Sequence, residues 1–207
     1  MSYTVGAAAC GVVAPFCYAL TVTVGARFRS ATYSHVRHAV DELTERNAPN
    51  RRTLQACFLL YNALAMAGAV AFVQAVQDVS QLYAGGAVVF LLTTIVSVLA
   101  TGFPLDAVDN GDTTLAGRVH VWAACATHVL ALLAMGLVAG AALSQPGQLG
   151  FAVFGFVWLI LTAAATAATA HQAAARGPRL GLFQRLAVGG FLLWLLILDA
   201  LVLNKYW

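Results

Sequence analysis

Charge is what this sequence has least of. Only 9% of its 207 residues are Asp, Glu, Lys or Arg, where a soluble domain carries about 25%, and 61% are hydrophobic with a mean hydropathy of +0.81. Such a chain cannot cover itself with a hydrated surface, so a water-soluble globule is excluded. Its basic residues are not interleaved with aromatics in any tract, which speaks against a nucleic-acid partner. Cysteine is scarce too: Cys10, Cys17, Cys57 and Cys125 show no C-x-x-C spacing and read as small packing residues. H-E-x-x-H, G-x-S-x-G and P-loop patterns are all missing, as is any repeat of fixed period.

What the sequence does have is six long apolar runs, near 5–26, 53–76, 82–103, 119–143, 150–170 and 186–203. A hydrocarbon core of roughly 30 Å needs about 20 apolar residues per helix, and each run meets or approaches that length. The expected fold is all-α: a polytopic bundle of six transmembrane helices forming one domain over 1–207. Before the first run, Met1–Thr4 has no basic residue, so that run is expected to be a retained span and not a cleaved signal. The short connections Gln77–Gln81 and Ser144–Gln148 predict antiparallel neighbours. Trp122 at one interface, with Tyr83, Tyr206 and Trp207 at the other, fits an aromatic belt. Gly136 and Gly140 form a GxxxG that suits close helix packing, within the bundle or in a homo-oligomer, and Thr162, Thr166 and Thr169 line an Ala-rich fifth helix.

Orientation follows from the basic residues. Arg27, Arg29, Arg37, Arg46, Arg51 and Arg52 belong to the first loop, Arg118 to the third, and Arg176, Arg179 and Arg185 to the fifth, leaving only Lys205 for the other side. The odd-numbered loops are therefore expected in the cytoplasm, with both termini on the non-cytoplasmic side of an inner membrane. Membrane lipids with anionic head groups are the partners this asymmetry suits.

The first loop, over 28–52, is long for a bundle connection. Val36, Val40 and Leu43 recur at helical spacing between a capping Ser34 and an Asn47–Pro49 stop, which predicts a short helix lying on the membrane surface. Arg37 with Asp41, and Glu42 with Arg46, are spaced to pair along it. The third span ends at Phe103-Pro104-Leu105-Asp106, a carboxylate-rich turn Asp109-Asn110-Gly111-Asp112 follows, and His120 opens the fourth span while His171 closes the fifth. One cytoplasmic layer thus collects candidates of three kinds. His120, Asp106, His38 and Asp41 are candidates for acid–base catalysis. His120, His171 and Asp106 are candidate ligands for a divalent metal such as zinc. Arg37, Arg118, Arg179 and His171 are candidates for holding a phosphate or other anion. Deeper in the membrane lie Asn62, His128 and Asp199. An Asp at the centre of a span costs roughly 2.5–3.5 kcal/mol to insert, so Asp199 is expected to face the bundle interior or water, and His128 is expected to bond Asn62.

Arg37-His38-Ala39-Val40-Asp41-Glu42-Leu43 resembles the H-P-I-S-E-L stretch of a prokaryotic six-helix membrane family known as domain of unknown function nine-nine-eight. Phe103-Pro104-Leu105-Asp106 with Gly117-Arg118-Val119-His120 is similar to that family's F-P-x-D and G-x-x-H signature, and Phe183-Gln184-Arg185 before Trp194 is similar to its last helix. Asp41 and Ala39 stand where the family often has Ser and Pro. The resemblance implies a six-helix fold and a set of positions, without an activity.

Four functional classes are compatible with these residues. The first is an accessory subunit of a membrane complex, or a lipid- or anion-binding module. The second is an intramembrane enzyme acting on a lipid or isoprenoid head group, with or without a metal. The third is a haem b or quinone redox protein, which requires axial histidines on facing helices. The fourth is a proton-coupled transporter, although broken helices and repeated halves are lacking.

Overall fold

The computed structural model describes residues 2–29, 33–106 and 114–206. Its helices are α1 (Ser2–Arg27), α2 (Arg51–Val76), α3 (Gln81–Gly102), α4 (Leu115–Leu143), α5 (Leu149–Ala174) and α6 (Leu180–Tyr206), with no strand among the described residues. All six contain a window long and apolar enough to cross a membrane, and the chain is a multi-pass membrane protein. The expected Asp109–Asp112 turn and Trp207 lie outside the described residues.

Each helix packs against its neighbours in sequence, and α6 returns to α1, so the six form a closed ring. Local chemistry sets the helix ends. Ser80 and Thr114 accept hydrogen bonds from the amides of Tyr83 and Gly117, capping α3 and α4, and α3 stops just ahead of Pro104. One end of the ring carries the connections after α1, α3 and α5, here the odd-loop end. The other carries the tight turns after α2 and α4.

The two halves of the interior are filled differently. Toward the tight-turn end, Phe72, Phe90 and Trp194 are buried together, with Phe90 edge-on to Trp194 at 5.6 Å between ring centres and Phe191 packed against both. Beside this aromatic fill, α1, α2 and α6 approach closely around Asp199, which is fully buried. A methyl carbon on Gly11 would lie 2.1 Å from Asp199 Oδ2, and one on Gly68 2.6 Å from it. Tight approach is made there and not at Gly136 and Gly140, where an added carbon would find only ordinary contacts at 3.5 and 3.7 Å. Tyr83 is buried and donates to Gln148 instead of joining a belt, whereas Trp122 is exposed on the outside of the ring.

The first loop departs from its expected form. Over the described residues 33–50 it makes turns around 35–38 and a single 3-10 turn at Asp41–Thr44, with no α-helix among them. Val40 and Leu43 are buried with Val22, Leu54 and Phe58 between α1 and α2, while Val36 stays exposed. The two expected pairs along a helix are not made; Arg29 meets Glu45 at 2.6 Å instead. The reason lies in α6, which begins at Leu180, ahead of its apolar run. Its first-turn amides need acceptors, and the loop supplies one: Val36 O accepts from Leu182 N at 3.0 Å. Gly181 lets the loop backbone approach, since a methyl carbon there would stand 2.1 Å from His38 O. Arg185 fixes the arrangement, its Nη1 donating to His35 O and His38 O at 2.7 and 2.9 Å and its Nη2 to the Tyr33 hydroxyl at 2.7 Å. The loop therefore folds in over the odd-loop end of the ring.

Candidate functional site: a cavity within the helix ring

Beneath the folded loop, between it and the aromatic fill, the ring holds a partly open cavity of about 130 Å³. One water needs only ~10–15 Å³, so there is room for several waters or a small polar group. Small side chains on α4 and α5 leave this space, among them Ala124, Ala131, Thr162 and Thr166. Most of the lining surface is apolar, yet it carries more polar side chains than packing alone requires. It includes Asp41 and Thr44 from the loop, Tyr18 from α1, Tyr61 and Asn62 from α2, His120 and His128 from α4, and Gln184 from α6.

His120 is the centre of the site. Its Nδ1 lies 2.8 Å from both Ala100 O and Phe103 O. Carbonyl oxygens only accept, so Nδ1 carries the proton and the ring is held by its back edge. That leaves Nε2, which is buried and has no hydrogen-bond partner among the described residues. It faces Asp41 Oδ2 at 3.9 Å, too long for a hydrogen bond and short enough for a third atom to bond to both. A buried imidazole with one nitrogen satisfied and the other bare is not explained by packing.

Asp41 is aimed by Gln184. The Gln184 amide nitrogen donates to Asp41 Oδ2 at 2.8 Å, and its carbonyl oxygen accepts from Val40 N at 2.6 Å, so one side chain of α6 holds both loop residues. The Asp41 side chain keeps 38% of its surface accessible, and this residue lines the cavity. Desolvation opposes a charge there, but the facing His120 ring in its protonated, positively charged form, together with the Gln184 amide, outweighs it and holds the carboxyl below its usual range.

The other candidates fall elsewhere. Asp106, expected beside His120, serves the start of α4: its two oxygens accept from Thr114 N and Thr114 Oγ1, both at 2.7 Å, and Arg46 stands 3.6 Å away. The Thr114 hydrogen bonds hold its carboxyl below the usual range. His38 accepts from Ser34 N through Nδ1 and stacks on Tyr33 outside the cavity. Arg37, Arg118, Arg179 and His171 are exposed, and none of their side chains has a hydrogen bond or ion pair among the described residues. Asn62 bonds across to α3, accepting from Ser97 and donating to Thr101, while His128 bonds Ala124 O of its own helix, so the expected His128–Asn62 pair is not formed. Asp199 faces the bundle interior, and neither of its oxygens has a hydrogen-bond partner among the described residues.

These placements bear on cofactors. No three His, Cys, Asp or Glu side chains converge among the described residues, so the three-ligand set of a catalytic zinc is not assembled, and His120, His171 and Asp106 do not come together. His120 and His128 both line the cavity but share one helix, and axial haem ligands must come from opposite sides of the ring. All four cysteines are free, and none lines the cavity.

Sequence reasoning missed the roles of Gln184, Tyr18 and Tyr61. It also missed a legible signal: Thr93, Ser97 and Thr101 are spaced by four along α3, and all three line the cavity. A polar stripe at helical period within an apolar span marks an inward face.

Fold and site together define a six-helix membrane protein with a polar chamber inside its helix ring, closed at one end by the first loop. The chain belongs to the family described as Protein of unknown function (DUF998), whose model matches residues 12–200. Neither a curated protein nor a solved structure matches it.

Proposed function

We propose that this protein is an intramembrane enzyme whose His120 and Asp41 carry out proton transfer on a substrate that reaches the chamber from the bilayer. The observation that carries this reading is the bare, buried Nε2 of His120 facing a carboxylate across a 3.9 Å gap. In this reading Nε2 takes a proton from a water or substrate group in the gap, Asp41 stabilises the imidazolium that forms, and the Ala100 and Phe103 carbonyls keep the ring in the required tautomer. Ten of the eleven Lys and Arg residues lie toward the odd-loop end, so the chamber closes at the cytoplasmic face of the inner membrane.

The test uses protein in nanodiscs made from a total lipid extract, incubated in D₂O or in water enriched in oxygen-18, with mass spectrometry of the recovered lipids. Wild-type protein is expected to introduce label into a defined lipid species. His120→Asn keeps an amide donor where Nδ1 sits and deletes Nε2, and it is expected to slow labelling by about 10²–10⁴-fold. No label beyond that of empty nanodiscs would rule the enzyme out.

A second reading, an accessory or lipid-binding module, is favoured by a different observation: Arg37, Arg52, Arg118, Arg176 and Arg179 are all exposed on the odd-loop side, where anionic head groups would meet them. It predicts co-purifying anionic lipid and no turnover.

A further inference from the structure

The cavity lining offers more hydrogen-bond acceptors than free donors. Thr93, Thr94, Thr101, Thr127 and Thr166 each donate the hydroxyl proton to a carbonyl of their own helix, at 2.7–2.9 Å. A hydroxyl has one proton to give, so these five can only accept from anything in the chamber. His128, whose Nδ1 bonds Ala124 O at 2.9 Å, presents an acceptor at Nε2 when neutral, as does His120. Asp41 adds a carboxylate. Asn62 spends its amide on Thr101 at 2.9 Å, and Gln184 directs its amide to Asp41 at 2.8 Å. Among the described residues no Lys or Arg lines the cavity, and its free donors are the hydroxyls of Tyr18, Tyr61 and Thr162, none of which has a hydrogen-bond partner there.

We infer that the chamber recognises a protonated amine on an alkyl chain, its nitrogen seated between Asp41 Oδ2 and His120 Nε2. Two atoms 3.9 Å apart admit one nitrogen within hydrogen-bond distance of both, and an ammonium brings a donor to each and a positive charge beside the Asp41 carboxylate. The rings of Tyr18 and Tyr61, packed edge-on with 5.1 Å between centres, lie on the same lining. A phosphate would set its negative charge against the Asp41 carboxylate. The inference deepens the enzyme reading by naming the group its substrate presents, and it rests on that reading only for what happens to the amine after binding.

The test is binding selectivity, measured on wild-type protein in zwitterionic nanodiscs with three water-soluble probes of equal chain length: hexylammonium, 1-hexanol and hexyl phosphate. Thermal unfolding is followed by intrinsic tryptophan fluorescence, with empty nanodiscs as the blank for partitioning. Hexylammonium is expected to stabilise saturably and to bind at least about tenfold more tightly than hexanol, with hexyl phosphate weakest. In Asp41→Asn the amine-to-alcohol ratio is expected to fall toward one. Equal binding of amine and alcohol, or preference for the phosphate, overturns the inference, and because the ranking is read on wild type it does not depend on that variant folding. The two readings fail separately. Label incorporation that needs His120 without amine preference sinks the inference alone, and amine preference without turnover sinks the enzyme alone.

Discussion

Replacing Gln184 with Leu removes the one side chain that ties α6 to both Val40 and Asp41. Two losses follow. Val40 N, in a residue only 3% exposed, loses its acceptor, and a buried amide left unpaired costs about 1–3 kcal/mol. Asp41 loses a hydrogen bond to a charged group, a bond typically contributing about 1.5–3 kcal/mol. The two share one side chain and do not simply add, so a combined loss of about 3 kcal/mol is expected. Because Arg185, Val36 and the Arg29–Glu45 pair hold the rest of the loop, the loss falls on local opening and not on the bundle. Opening of the loop should become roughly 100-fold more frequent, read by hydrogen–deuterium exchange as lower protection of amides over 38–44 with the interior of α2 to α5 unchanged. Unaltered protection in that segment, or a loss spread evenly over all six helices, would refute the idea that Gln184 holds the loop closed over the chamber.

Other outcomes follow from the same coordinates. Gly11→Ala forces a carbon to within 2.1 Å of the Asp199 carboxyl and should destabilise the bundle by about 1–3 kcal/mol in denaturant titrations. Adding Asp199→Ala should recover most of that loss, and additive effects would show that α1 and α6 do not meet there. The first loop should also respond to pH in two opposite ways. Burial raises the Glu42 carboxyl above its ordinary 4.5 despite the hydrogen bond from Ala39, so its contribution to loop stability is full below that pH and fades as pH rises through the elevated value. Asp41 is depressed below 3.8, so its contribution is present above that pH and is lost as pH falls through the lower folded value. Protection of the loop, corrected for intrinsic exchange, should therefore peak in mild acid, with Glu42→Gln flattening the neutral side and Asp41→Asn the acid side.

How far the site could be read beforehand differs residue by residue. His120 was legible because an imidazole at the mouth of an apolar span is expensive unless it is used. Its partner was not. Asp106 is the nearer carboxylate in sequence, but it lies within reach of Thr114 at the start of α4, and its oxygens are taken up by that local contact. Asp41 comes from a loop whose apolar spacing suggests a surface helix. Val40 and Leu43 instead find a buried seat between α1 and α2, and their side chains carry Asp41 inward with them. The intramembrane polar residues show the same pattern: Asn62 was expected at His128 by depth alone, yet the ring sets α2 beside α3, so Asn62 bonds Ser97 and Thr101.

Run length and composition by themselves determined six membrane-crossing helices, because a bilayer admits only segments whose backbone is satisfied internally and whose side chains are apolar over about 20 residues. The breaks at Pro104 and the caps at Ser80 and Thr114 are equally local. Which carboxylate meets His120, and that a chamber exists at all, was decided only when the ring closed α6 onto α1. That closure brings the first turns of α6, with Gln184 and Arg185, against the first loop, and contacts between residues almost 150 positions apart depend on helix packing that no local pattern encodes.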